Sequence, residues 1–409
     1  MPSSNFDIEK IRSLFPILNF KVKGKDLVYF DNAATTQKPQ AVIDGLSDYY
    51  SEYNANIHRG IHFLAEKATG AYEEVRIQLQ KFLGAASSEE IIFTRGTTEG
   101  INLVASSFGD AFINKGDEII ISELEHHSNI VPWQLLCERK KAILKVIPIN
   151  DAGELLIDEY KALFSDKTKL VAVNYVSNAL GTINPIKKII DLAHAVGAKV
   201  LIDGAQSTSH IEVNVQELDV DFYACSAHKM YGPTGIGVLY GKKDVLNQMP
   251  PYQGGGEMIE EVSFEKTTFN ALPYKFEAGT PNIGDTIAFK AALDFIEEVG
   301  VKNIAKQEDL LLQHTQKELE KIEGIKFFGQ AKEKVSVISF GFDDVHHQDL
   351  AILLDNFGIA IRTGHHCTQP LMKRLGILGT SRVSFAVYNT IEEVDYFIEA
   401  LNKVLNMLR

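Results

Sequence analysis

From about Leu27 to Gly241 short apolar runs alternate with longer amphipathic stretches. The runs are LVYF (27–30), EIIFT (90–94), EIIIS (118–122), ILKVIPI (143–149), KLVAVNY (169–175), KVLID (199–203), DFYAC (221–225) and IGVLYG (236–241). Consecutive apolar, β-branched residues fit strands buried on both faces, and the stretches between them fit crossover helices. The rhythm predicts an α/β layered fold with a mostly parallel sheet. After about Gly284 the order changes to two long helical segments (286–299 and 301–323), VSVISFGF (335–342), a helix near 348–357, IAIR (359–362), RVSFAV (382–387) and a last helix. That order predicts helices on a small antiparallel sheet, an α+β tail. Between the halves, Gly254-Gly255-Gly256 and the polar stretch to Asn270 predict an exposed loop or hairpin. Ile8, Ile11, Phe15 and Leu18 share a helical face, so a short docking helix is expected near the start. The expected organisation is an N-terminal segment (1–24) packing with the small domain, a large domain (25–285) and a small C-terminal domain (286–409).

Composition narrows the class. The 409 residues carry 41 basic and 54 acidic side chains, a net charge of −13, which argues against nucleic acid or an anionic membrane as the main partner. A local basic pocket for a small anion stays compatible with it. The three cysteines, Cys137, Cys225 and Cys367, form no CxxC pair, so no zinc knuckle or other metal site is expected. Their scarcity fits reduced thiols in a reducing compartment. Asp7 and Glu9 stand where a signal peptide would carry its apolar core, and no apolar run approaches the ~18 residues of a membrane span. A cytoplasmic enzyme is the expectation.

Open α/β sheets bind ligands beyond the carboxyl ends of their strands, and five such ends carry chemistry. EIIFT runs into Arg95-Gly96-Thr97-Thr98-Glu99, a phosphate seat at a helix start or a plain N-cap. EIIIS is followed by Glu125-His126-His127-Ser128-Asn129, a histidine pair with no further metal ligands at workable spacing. KLVAVNY leads to Ser177 and Asn178, a turn or a set of ligand donors. KVLID ends in Asp203 ahead of Gln206; a carboxylate closing a buried strand is costly without a cationic partner, such as a protonated pyridine nitrogen. DFYAC leads to Ser226, His228 and Lys229, a lysine able to form a Schiff base with a carbonyl cofactor, or a solvated surface charge. Each feature alone has a structural reading; their order on one sheet favours the chemical one.

That order resembles the fold-type I pyridoxal-phosphate enzymes of the class V aminotransferase group, from YFDNAATT (29–36) almost to the C-terminus. The segment Arg362-Thr363-Gly364-His365-His366-Cys367-Thr368-Gln369-Pro370 resembles the active-cysteine motif of the SufS-type (type II) cysteine desulfurases. Asn56 to His62 (NxHRGxH) and EHHSNIVPWQ (125–134) look like the same family. The resemblance implies a large domain with a mostly parallel seven-stranded sheet between helices. It implies that Lys229 carries pyridoxal 5'-phosphate, Asp203 pairs with the ring nitrogen, Gln206 bonds the phenolic oxygen and His126 stacks on the ring. Thr97, Thr98, Ser226 and His228 would hold the phosphate, with Thr280 reaching the phosphate of the other subunit of a homodimer. Asn178 and Arg382 would grip the substrate carboxylate, Arg362 would favour the thiolate, and Cys367 would be the nucleophile.

Bottom-up chemistry is consistent with these roles: arginine suits a carboxylate better than lysine, and only a thiolate is a good sulfur nucleophile. Lys229, His228, His126 and Arg382 would form a local anion trap. Only 15 positions separate Cys367 from Arg382, so the resemblance implies a short, constrained loop. L-cysteine would become L-alanine with a persulfide on Cys367, its sulfur passing to a SufE- or SufU-like acceptor protein for iron–sulfur cluster assembly. Turnover would be modest alone and stimulated by that partner. The rivals are a selenocysteine lyase or cysteine-sulfinate desulfinase, another class V aminotransferase or lyase, and a cofactor-free scaffold.

Overall fold

A computed structural model describes residues 6–409. Its centre is a seven-stranded sheet of β1 (Ile91–Thr94), β2 (Glu118–Ser122), β3 (Ile143–Ile147), β4 (Thr168–Asn174), β5 (Lys199–Asp203), β6 (Phe222–Ser226) and β7 (Gly237–Gly241), in the order β1-β7-β6-β5-β4-β2-β3. All are parallel except β7, which runs against both β1 and β6. The apolar runs have a direct physical reason. Alternate residues of one strand enter two separate cores: Val200 and Ile202 pack on one face of β5 and Leu201 on the other. Full burial of each such side chain is worth about 1.5–3 kcal/mol, so neither face tolerates polar residues.

Seven of the eight predicted runs form this sheet. The eighth, LVYF, does not: Val28–Tyr29 pairs in parallel with Ile359–Ala360, beside the C-terminal unit. The polar stretch after Gly256 is a hairpin of Ile259–Val262 and Thr267–Phe269.

The helix Phe63–Leu83 shows how the flanking layers form. Ala65, Ala68, Tyr72, Val75, Leu79 and Leu83 recur at helical spacing on its buried side. The His62 ring accepts the Ala65 N–H at its start, and Gly84, at φ +67°, ends it in the left-handed region that favours glycine. Against it packs Ile283–Val299, whose Ile287, Phe289 and Leu293 belong to the same core. A separate core lies under a four-stranded antiparallel sheet of β8 (Lys326–Phe328), β9 (Val337–Gly341), β10 (Arg362–Gly364) and β11 (Thr380–Ser384), ordered β8-β9-β11-β10. Helices Val301–Leu319 and Ile391–Leu408 cover it. Near the start, helix Ile8–Ser13 leads into Phe15, whose ring packs against Tyr231, Phe295 and Tyr388, while Arg12 pairs with Glu393 at 2.9 Å. Among the described residues no helix is long and apolar enough to cross a membrane.

Candidate active site

Parallel strands bring their carboxyl ends to one edge, and a cavity of about 250 Å³ opens there. Thr97, Thr98, His126, Asn178, Asp203, Gln206, Ser226, His228, Lys229, Arg362, Cys367 and Arg382 all line it. Ala33, Ser128, Asn174 and His366 line it too. Of the predicted site residues only Thr280 lies elsewhere. It lines a second cleft of about 450 Å³ with Arg95, Glu99 and Asn282.

One end of the cavity is built to receive an anion. β1 turns through Gly96 into the helix Thr97–Leu103, and Ser226 at the tip of β6 accepts the Thr97 N–H at 2.8 Å. Gly96 sits at φ +145°, and a Cβ there would stand 3.1 Å from the Ser226 oxygen. The turn therefore brings two hydroxyls and helix-start N–H groups together with no side chain between them.

The middle of the cavity holds the titratable groups. Asp203 is buried, and its only protein donor among the described residues is the Ala205 N–H at 2.9 Å. Burial raises its pKa, opposed by that hydrogen bond and by Lys229. Lys229 follows the turn Ala227–Lys229 after β6; burial lowers its pKa, with Asp203 pulling the other way. The His126 ring nitrogen Nδ1 is held by Ser128, through its hydroxyl at 2.8 Å and its N–H at 3.1 Å. Burial, and then the charge of Lys229, push His126 down to about 4. His228 is likewise driven to about 4 by burial. Gln206 donates to the Ala33 carbonyl at 2.6 Å.

The same cavity holds cations. Arg382 on β11 is 2% exposed, donating to the Asn178 carbonyl and to Asp31, each at 2.9 Å, while its Nε has no partner. Arg362 is half-exposed at 4.0 Å from Asp31. Asn178 donates to the His366 carbonyl at 2.8 Å. Beside them Cys367 is part-exposed in a tightly tethered turn. His366 and Cys367 both take left-handed φ values, 51° and 57°. The Cys367 N–H reaches the His365 ring at 3.1 Å, and its carbonyl accepts the His127 N–H at 2.8 Å. Cys225 is buried, its thiol pushed up to about 12 by burial, and Cys137 is buried too.

Asp31 and Glu125, to which the sequence pattern assigns no role, and His366, next to Cys367, complete the polar network of the site. Asp31 is the counter-ion of Arg382. His366 donates or accepts at the Thr380 hydroxyl, 2.8 Å away, and is driven to about 2 by burial and then by Arg382. Glu125, fully buried, accepts from Asn129 at 2.7 Å and from the Asn174 N–H at 3.1 Å and contacts Ser122; burial lifts it to about 8.

An anion seat, a lysine amine, a buried acid and a part-exposed thiol around one cavity define an enzyme built for a carbonyl cofactor bearing a phosphate and a basic ring nitrogen. The chain belongs to the aminotransferase class-V family, whose profile matches residues 28–397, and pyridoxal phosphate is the cofactor of this class. It is 53% identical over 399 residues to a probable cysteine desulfurase of Mycobacterium leprae, covering 98% of this chain and 65% of that protein. Over 404 residues it is 50% identical to a cysteine desulfurase of Salmonella agona, covering 98% and 99% of the two chains. The chain thus spans 58–65% of the length of the mycobacterial and Synechococcus relatives and nearly all of the Salmonella one. Among solved structures, the Escherichia coli cysteine desulfurase CsdA superposes with a TM-score of 0.92 at 38% identity, covering 99% of this chain and 100% of that one. The apo cysteine desulfurase of Thermococcus onnurineus gives 0.93 at 40% identity, with 100% of both chains covered.

The residues fit pyridoxal phosphate on structural grounds. Asp203 has spare acceptor capacity in a buried setting, which suits a ring N–H. The Gly96 turn leaves room for phosphate oxygens where any larger residue would project toward Ser226.

Proposed function

We propose that this chain is a cysteine desulfurase that converts L-cysteine to L-alanine and leaves the sulfur as a persulfide on Cys367. The observation that carries this reading is a single cavity lined by Lys229, Asp203, Arg382 and Cys367. When bound, pyridoxal phosphate supplies an electron sink for negative charge developing at the substrate Cα. Thr97, Thr98, Ser226 and His228 would hold its phosphate, Lys229 its carbonyl carbon, Asp203 its ring nitrogen and Gln206 its phenolic oxygen, with His126 beside the ring. Arg382 and Asn178 bind the substrate carboxylate and so fix which Cα bond faces the Lys229 amine. The lowered pKa of Lys229 suits it to take the α-proton as a base. The Cys367 thiolate attacks the substrate sulfur: the S–S bond forms, and the substrate C–S bond breaks with its electron pair left on carbon. Protons taken up there complete alanine.

The tethers on both sides of Cys367 favour delivery at the site over travel to a distant acceptor. We assign sulfur transfer to an incoming SufE- or SufU-like protein, iron–sulfur cluster assembly as its destination, and a homodimer in which Thr280 serves the partner's phosphate.

The test is mass spectrometry after incubation with L-cysteine and pyridoxal phosphate without reductant. One extra sulfur on the Cys367 peptide, and none on those of Cys137 and Cys225, is expected. Lys229→Ala should lose the yellow chromophore, and Cys367→Ala should keep it while losing sulfur transfer. Equal sulfur release from wild type and Cys367→Ala would overturn the reading in favour of a lyase that does not use the thiol.

A further inference from the structure

The backbone carbonyl of His228, immediately before Lys229, gathers an unusual set of donors. All of them come from one short segment that follows the Val28–Tyr29 strand. The Thr36 N–H reaches this oxygen at 3.0 Å, the Thr35 hydroxyl at 2.9 Å, the Thr36 hydroxyl at 3.2 Å and the Lys38 ammonium at 2.9 Å. The Lys38 ammonium also donates to the Thr36 carbonyl at 2.5 Å. Among the described residues it has no carboxylate within ion-pair distance. The Tyr231 N–H, two residues beyond Lys229, returns to the Thr36 hydroxyl at 2.8 Å. Lys229 is thus bracketed on both sides by bonds to Thr35, Thr36 and Lys38.

An ammonium group with only neutral acceptors is an expensive choice for a half-buried position. Burial pushes Lys38 down to about 7. A plain structural prop at this place would be better served by an apolar side chain, with no charge to desolvate. The group's value must lie in what it grips, a carbonyl one peptide bond from the cavity's amine. Below about pH 7, where Lys38 is charged, its bond adds more than a neutral donor's at the same distance.

The far side of the segment points the same way. The Gln37 N–H donates to the Tyr388 hydroxyl at 2.9 Å, the Ala33 N–H to the Ser384 hydroxyl at 2.9 Å, and Asp31 pairs with Arg382. Residues 31–38 therefore join the cationic end of the cavity to the lysine turn.

We propose that Lys38, acting with Thr35 and Thr36, is a positioning residue that fixes the His228–Lys229 peptide and thereby aims the Lys229 amine. This rests on the assignment of Lys229 as the cofactor-holding lysine. The test is pyridoxal phosphate titration of wild type, Lys38→Met, Lys38→Arg and Thr36→Val, following the dissociation constant and the pH midpoint of the bound cofactor's absorbance. Thermal unfolding of the apo proteins monitors the fold. Losing one charge-assisted bond predicts a dissociation constant raised about tenfold in Lys38→Met, with a displaced absorbance midpoint. Lys38→Arg should return both to within about threefold of wild type on the same scale. If Lys38→Met fails to fold, Thr36→Val, which removes one neutral donor to the His228 carbonyl and the acceptor of the Tyr231 N–H, carries the test with a shift in the same direction. Unchanged affinity and midpoint in a folded variant would overturn the clamp. A wild-type protein that never develops the chromophore would instead overturn the reading of Lys229 itself.

Discussion

Arg382 offers the most quantitative test of how the site selects its substrate. The guanidinium has five N–H groups. One goes to the Asn178 carbonyl and one to Asp31, and Nε is buried with no partner. Three N–H groups are left to meet a carboxylate, and a planar fork meets one with two parallel bonds. Each charge-assisted hydrogen bond is worth about 1.5–3 kcal/mol, so Arg382→Ala removes roughly 3–6 kcal/mol of substrate stabilisation. At about 1.4 kcal/mol per factor of ten, kcat/KM for L-cysteine should fall by about 10²–10⁴.

The variant also strips Asp31 of its counter-ion. Burial raises the pKa of Asp31, and Arg382 is the largest influence opposing it, so removing Arg382 raises it further. A carboxyl whose folded pKa lies above its unfolded value destabilises the protein as pH climbs through that folded pKa. The variant should therefore lose stability relative to wild type as pH rises from the unfolded carboxyl value of about 3.9 through the raised folded value. The assay is the initial rate of sulfide release with dithiothreitol present, with cysteamine, which lacks the carboxylate, as the parallel substrate. The loss should be confined to L-cysteine. A similar fractional loss with cysteamine would refute carboxylate capture and reduce Arg382 to a structural partner of Asp31.

Gly96→Ala should leave the fold intact and weaken pyridoxal phosphate binding by about tenfold, because the new Cβ meets both a φ of +145° and the Ser226 oxygen at 3.1 Å; an unchanged dissociation constant would contradict the anion seat. His210 and Glu308 form a buried pair at 2.6 Å, in which burial lowers the histidine pKa but the Glu308 charge and hydrogen bond outweigh it and raise it. Its stabilisation is complete below the unfolded histidine pKa of about 6.5 and is lost as pH rises through the raised folded value. Urea unfolding of wild type should show that decline, and Glu308→Ala, expected to cost about 3 kcal/mol, should flatten it. An identical pH slope in the variant would remove the pair from the account.

The main sheet was legible because a strand buried on both faces must be apolar throughout, and its polar tips then stand out. Asp203, Ser226 and Lys229 were visible for that reason. LVYF was just as apolar yet pairs with Ile359–Ala360, since a four-residue run carries no information about its partner. The strand Lys326–Phe328 went unread, being short and half-exposed. Asp31 was missed although it closes an apolar run just as Asp203 does. The same cost argument applied there, but its cation lies 351 positions away, beyond any local pattern. The His228 clamp had no sequence signal, because every residue carries a backbone carbonyl and only the fold selects one to receive four donors.

The structure also changes what holds negative charge in a protein of net charge −13. The sequence reading gathered His126 and His228 with Lys229 and Arg382 as cations. Burial drives both histidines to about 4, so near neutral pH they are uncharged. That is the state a flat ring against a cofactor needs, since a second positive charge beside Lys229 would oppose a protonated ring nitrogen held by Asp203. In the proposed site, attraction for the phosphate would fall to the hydroxyls and the helix start, which supply direction without a mobile charge. Attraction for the substrate carboxylate would fall to Arg382, whose guanidinium stays charged. Two anions would thus be read by different means in one cavity, the phosphate by neutral donors and the carboxylate by a guanidinium.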